Sequence, residues 1–227
     1  YTSLAIDSSG TPYVAFEDSF NSGKATVMKF SSGSWANVGS AGFSAGSASF
    51  TSLAIDSSGT PYVAFEDSFN SGKATVMKFS SGSWANVGSA GFSAGGATYT
   101  SLAIDSSGTP YVAFVDSLNS GKATVMKFSS GSWANVGSAG FSAGIAVSTS
   151  LAIDSSGTPY VVFRDGARNS KATVMKFSSG SWANVGSAGF SAGVASTPSL
   201  AIHSSGTPYV AFKDGMNSNA ATVMKYQ

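Results

Sequence analysis

A stretch of 23 residues, KATVMKFSSGSWANVGSAGFSAG, occupies Lys24–Gly46 and returns unchanged at Lys73–Gly95, Lys122–Gly144 and Lys171–Gly193, a period of 49 residues. A second block, SLAIDSSGTPYV, begins at Ser3, Ser52, Ser101 and Ser150 and recurs from Ser199 with His203 in place of the aspartate. Units this short cannot bury a core alone, so they must stack on one another. The repeat therefore predicts a single domain over 1–227, with units beginning near Tyr1, Phe50, Tyr99, Ser148 and Thr197.

Within one unit the pattern reads as strands. Leu4 and Ile6 fall on one face and Ser3 and Ala5 on the other, which suits a strand near a crowded axis. Asp7–Pro12 is a turn: the carboxylate accepts local N–H groups, Gly10 permits positive φ and Pro12 opens the next strand. Tyr13–Glu17 is rich in β-formers and forms a second strand. Asp18–Gly23 is a longer loop, Ala25–Phe30 a third strand, Ser31–Ser34 a hairpin turn and Trp35–Val38 a short fourth strand. No window keeps a helical period, because Gly or Pro interrupts each one.

Four antiparallel strands per unit, repeated five times, predict an all-β fold: a five-bladed β-propeller of 49-residue four-stranded blades. A β-solenoid is the rival, but its rungs are usually shorter and do not form a four-strand meander. The chain ends at Gln227, after Met224-Lys-Tyr226, so the Trp strand occurs four times for five blades. Either the fifth outer strand preceded Tyr1 in a longer chain, or one blade lacks its outer strand and presents an open edge. An open edge invites pairing. The expected state is a monomer, with edge-mediated association as the exception.

Charged residues make up only 10% of the chain and the formal charge is +1, which gives no electrostatic case for nucleic acid. Cysteine is absent, removing disulfides, thiolate chemistry and Cys-based metal sites. No apolar run is long enough for a membrane-inserted helix.

The blocks TSLAIDSSGTPYVAF, ATVMKF and SWANVGSAGFSAG resemble the tandem blades of bacterial extracellular repeat proteins, and the resemblance spans the chain. Blade number and length are also similar to the five-bladed tachylectin-type lectins, whose sugar pockets lie between neighbouring blades. Their residue pattern does not match, so no binding residue carries over. The resemblance implies a secreted or cell-surface protein. Near-identity of the units also suits a consensus or engineered repeat protein.

The copies differ at three places. The end of the second strand reads Glu17, Glu66, Val115, Arg164 and Lys213. The loop after it carries Phe20, Phe69, Leu118, Ala167 with Arg168, and Met216. The lead-in to the first strand carries Tyr1, Phe50, Tyr99, Ser148 and Thr197. In an up-and-down blade these segments share one end, so the variation should converge around the mouth of the central channel. Two readings stand: loops drifting on an exposed face, or a binding face on a rigid scaffold. The changes of charge sign and aromatic size favour the second in part.

Catalysis is poorly supported. His203 replaces a turn aspartate, and neither a cysteine nor a second histidine exists to build a nucleophile–base pair. Glu17 and Asp18 are adjacent, so on a strand they face opposite ways. Asp18, Asp67, Asp116, Asp165 and Asp214 read as loop caps, with too few oxygen ligands for calcium. Trp35, Trp84, Trp133 and Trp182 read as rim packing and the repeated methionines as core filler.

The sequence reading is thus a non-enzymatic recognition module without metal or cofactor. Its ligand would be a carbohydrate or, second, a protein partner, and its contacts Tyr1, Phe50, Tyr99, Glu17, Glu66, Arg164, Arg168 and Lys213. The competing reading is a repeat scaffold with no specific ligand.

Overall fold

Each unit folds as its alternation of β-formers and turn residues dictates. The computed structural model describes residues 1–226. Its first blade comprises Thr2–Ile6, Pro12–Asp18, Lys24–Ser31 and Ser34–Asn37, hydrogen-bonded in that order as an antiparallel sheet. The next three blades repeat this four-stranded meander. The fifth has three strands, Ala195–Ile202, Pro208–Asp214 and Ala220–Lys225. The chain is therefore a five-bladed β-propeller whose last blade lacks an outer strand.

The constant turns are locally satisfied. Asp7 Oδ1 accepts the N–H groups of Ser9 and Thr11, both at 2.9 Å, and the Ser9 hydroxyl at 2.6 Å. These bonds, the Ser9 hydroxyl foremost, hold the Asp7 carboxyl below its usual pKa. His203 keeps the same turn: its Nδ1 lies 2.8 Å from the Ser205 hydroxyl and accepts the Ser205 N–H at 3.2 Å.

The first strands line the axis, and a serine stitches each pair. The Leu53 N–H donates to Ser3 Oγ at 2.9 Å, and Leu102, Leu151 and Leu200 do the same to Ser52, Ser101 and Ser150. Between blades, small and large side chains interlock. Ala15, Ala25 and Val27 of the first blade pack on Leu53, Val63 and Phe65 of the second, and all six are buried. Nearer the rim, Trp84 stacks on Phe43 with centroids 4.1 Å apart and planes 8° from parallel. Its indole N–H donates to the Val38 carbonyl at 2.7 Å. Trp133 and Trp182 repeat both contacts.

One feature departs from a ring closed by its termini. The four junctions between successive blades each have a core cluster. Among the described residues, no cluster or hydrogen bond joins the fifth blade to the first. Leu4 is 65% exposed where Leu53 is 6% exposed, and Tyr209 and Val223 are far more exposed than Tyr13 and Val27. Among the described residues, the outer faces of the first and last blades are therefore without the packing that the four junctions share.

Candidate functional site

The variable segments meet at one end of the blades, as the meander requires. The link into the second blade is tied to the preceding loop by the Ala48 N–H, which donates to the Gly23 carbonyl at 2.9 Å. It is tied to the following loop by the Ser68 N–H, which donates to the Ser47 carbonyl at 3.1 Å. Buried Asp18 fixes each such loop. It accepts the Phe20 N–H at 3.1 Å and, at 2.8 Å, both the Asn21 side-chain amide and the Thr26 hydroxyl. Thr26 Oγ1 in turn accepts the Gly42 N–H at 2.8 Å, anchoring the outer link. The repeated aspartates are thus structural caps.

A bulge presents the channel-mouth residues. Ser49 pairs with Glu66 and Ser52 with Ala64, so Phe50 and Thr51 together oppose Phe65. The register shifts likewise in the third, fourth and fifth blades. At the bulge, Phe50, Tyr99, Ser148 and Thr197 take φ of 52°, 52°, 55° and 46°, a left-handed conformation costly for aromatic and β-branched residues. The following threonines brace it. Thr149 Oγ1 donates to the Tyr99 carbonyl at 2.5 Å, Thr51 Oγ1 to the Tyr1 carbonyl at 3.4 Å, and Thr100 Oγ1 to the Phe50 carbonyl. Pro198 has no such hydroxyl.

These residues surround an open cavity of about 200 Å³, lined by Tyr1, Phe50, Tyr99, Ser148, Thr197 and the residue after each. Tyr1 and Phe50 lie 4.3 Å apart at 42°, and Phe50 and Tyr99 lie 4.6 Å apart at 47°. Blades one to three thus give a continuous aromatic arc, while blades four and five give small polar side chains. Burial, and then Tyr99, Glu17 and Glu66, raise the Tyr1 hydroxyl above its usual pKa.

Charge is divided the same way. Glu17 Oε1 accepts the hydroxyls of Ser47 and Ser49 at 3.3 and 3.4 Å. Glu66 sits at the bulge opposite Ser49, and burial, with Glu17 adding to it, raises its carboxyl above the usual range. On the other side, Arg164 opposes Val147 and Lys213 opposes Ser196. Arg164 Nε is buried and has no hydrogen-bond partner among the described residues.

The structure therefore brings Tyr1, Phe50 and Tyr99 together in the cavity and sets Glu17, Glu66, Arg164 and Lys213 near the ends of the second strands, outside the residues that line it. Arg168 stands apart: it takes the place of Asn21 in its loop and rests against Gly189 of the outer link. The sequence reading left out Ser148 and Thr197 as contacts, although they complete the ring, and missed the threonine braces. It also passed over the loop tips: Phe20 is 100% exposed, and Phe69, Leu118 and Met216 are exposed too. Their signal was the change of side chain at one repeat position. No cluster of His, Cys, Asp and Glu suited to a metal occurs among the described residues.

No family model matches the chain, and no curated protein is similar to it in sequence. Solved structures do share the fold. The Aleuria aurantia lectin in complex with Fucα1-6GlcNAc is 16% identical with a TM-score of 0.65, over 99% of this chain and 74% of that one. AofleA from Arthrobotrys oligospora is 12% identical with a TM-score of 0.68, over 99% of this chain and 66% of that one. An endo-1,4-β-xylanase from Bacteroides thetaiotaomicron is 12% identical with a TM-score of 0.57, over 99% of this chain and 94% of that one. The neighbours thus include both lectins and enzymes, and what the likeness establishes is a propeller of repeated blades.

Proposed function

We propose that the channel-mouth face recognises carbohydrate and performs no chemistry. The observation that carries this reading is the arc of Tyr1, Phe50 and Tyr99 at the edge of an otherwise polar cavity. A pyranose has an apolar face, which stacks on aromatic rings, and a rim of hydroxyls, which need donors and acceptors. Glu17 and Glu66 offer acceptors on one side, and Arg164 and Lys213 offer donors on the other. The fold neighbours crystallised with fucosides support the ligand class as an analogy of architecture. A binding role suits display outside the cell.

Against catalysis, His203 is engaged in a surface turn and Asp18 is committed to capping its loop. The test is a glycan array probed with the intact protein and with Phe50→Ala and Tyr99→Ala. Both substitutions remove an aromatic from a strained bulge, so the fold should survive. The expected result is binding to a defined sugar set, weakened at least ~10-fold in either variant. A blank array with folded protein, or variants that bind as well as the parent, would overturn the reading in favour of a scaffold or a protein-binding face.

A further inference from the structure

The loop tips at the channel-mouth end expose apolar side chains that the cavity there does not use. Phe69 is 74% exposed and Leu118 68% exposed, on the short 3₁₀ turns Ser68–Asn70 and Ser117–Asn119. Both turns belong to blades that are packed on either side, so neither side chain is bared by the lack of a neighbouring blade. Phe20 and Met216 continue the series in the first and fifth blades. Ile145, 57% exposed, joins it from the link beside Gly121, where the Leu118 loop ends.

These turns hold the tip outward. Asp67 Oδ1 accepts the Phe69 N–H at 3.1 Å, and Oδ2 accepts the Asn70 amide and the Thr75 hydroxyl, both at 2.8 Å. Asp116 does the same for Leu118, Asn119 and Thr124. Gly46 and Gly95 back the two tips: a Cβ on Gly46 would lie 3.0 Å from the Phe69 Cβ, and one on Gly95 2.9 Å from the Leu118 Cβ. Each second strand meets its third in one register, so the tips share one height along the axis. The tip residue changes between Phe, Leu and Met but stays apolar, with Ala167 as the small exception. A shape-complementary protein socket would be sensitive to that change, whereas a fluid apolar phase is not.

We propose that this end of the propeller docks on a phospholipid bilayer, with Phe69, Leu118 and Ile145 entering the boundary between headgroups and acyl chains. Lys24, Lys73, Lys122 and Lys171 open the third strands at the same end, and Arg168 is exposed in the fourth loop. The carboxylates there are turned inward: Asp18, Asp67, Asp116 and Asp165 are buried in their caps, and Glu66 is partly buried. The end thus presents apolar tips ringed by cations, which suits a surface of anionic headgroups. Docking of this kind is interfacial and needs no spanning helix, and none occurs among the described residues. Tips spaced one blade apart can each enter a fluid plane, whereas a protein partner would need a matching socket for every one.

The test is sedimentation of the intact protein with vesicles of phosphatidylcholine mixed with phosphatidylserine. These carry no sugar, so the result is independent of the carbohydrate reading. Binding is expected, and it should weaken on phosphatidylcholine alone and in high salt. The double variant Phe69→Ser, Leu118→Ser should partition at least ~10-fold more weakly. Its melting temperature should be unchanged, because both positions are exposed. Phe50→Ala and Tyr99→Ala should bind vesicles as the parent does. The chain has no cysteine, so Leu118→Cys can carry an environment-sensitive fluorophore, whose emission should shift to the blue on vesicles. The same label at Ser57→Cys, in an exposed turn at the opposite end, should not respond. No sedimentation with the mixed vesicles, an undiminished double variant, or equal responses from the two labels overturns the proposal. So does lipid-free self-association that the double variant loses, which would make a second copy the occupant of the tips.

Discussion

At the scale of the residue, the mouth of the channel is a place where local preference yields to position. Phe50 and Tyr99 hold a left-handed backbone that glycine would adopt freely, and the threonine after each braces the carbonyl of the blade before it. Glu66 is a second local compromise, since its carboxylate is partly buried and faces a like charge on Glu17. Its pKa is raised in the folded chain, so the fold binds that proton more tightly than the unfolded chain does. Stability from this group is present below the usual carboxylate range and declines as pH rises through the raised value. Glu66→Gln is therefore expected to raise the melting temperature at pH 7 and to leave it unchanged near pH 3, as thermal denaturation at the two pH values would show.

At the scale of the element, equal sequences in unequal surroundings separate burial from composition. Leu4 and Leu53 lie in the same Thr-Ser-Leu-Ala-Ile segment of their strands, yet among the described residues only Leu53 has a blade packed against it. Leu53→Ala should cost about 3 kcal/mol, the usual loss for a large-to-small change in a tight core. Leu4→Ala should stay within about 0.5 kcal/mol, as for other exposed positions. Chemical denaturation of the two variants measures the difference, and equal losses would mean that the first blade's outer face is covered in solution. Trp35 gives an optical version of the same comparison. It is 45% exposed and its one aromatic partner among the described residues is Phe30, while Trp84, Trp133 and Trp182 are stacked and hydrogen-bonded. Iodide should quench about one quarter of the tryptophan emission readily, and Trp35→Phe should remove that fraction.

For the whole molecule, four equivalent junctions and two free faces imply a quasi-one-dimensional stability. Each blade depends on its neighbours, and among the described residues the end blades share a core cluster with one neighbour apiece. Unfolding should begin at the ends, with the three-stranded fifth blade the weaker of the two. Scanning calorimetry is expected to give a van't Hoff enthalpy below the calorimetric one. A ratio of one would show that the blades unfold as a single unit and that the ends are not independent.

Strand order, turn positions and the end of the molecule at which variation collects were all legible in the sequence. They follow from local rules, namely the alternation within Thr2–Asp7, the Asp-Ser-Ser-Gly-Thr-Pro turn and the antiparallel meander. The clustering of Tyr1, Phe50 and Tyr99 was legible too, because a fixed period carries equivalent positions to equivalent places around an axis. What only the tertiary structure decided depends on angles summed over several blades or on contacts absent from any one unit. The bulge beneath Phe50 gives no local sign, since an aromatic stands where a glycine would have marked positive φ. Arg168 reads as a mouth residue until its loop is seen to lean on Gly189. The exposure of Leu4 and Tyr209, against the burial of Leu53 and Tyr13 at equivalent repeat positions, shows only in the packed molecule, because identical units carry no sign of which faces meet a neighbour.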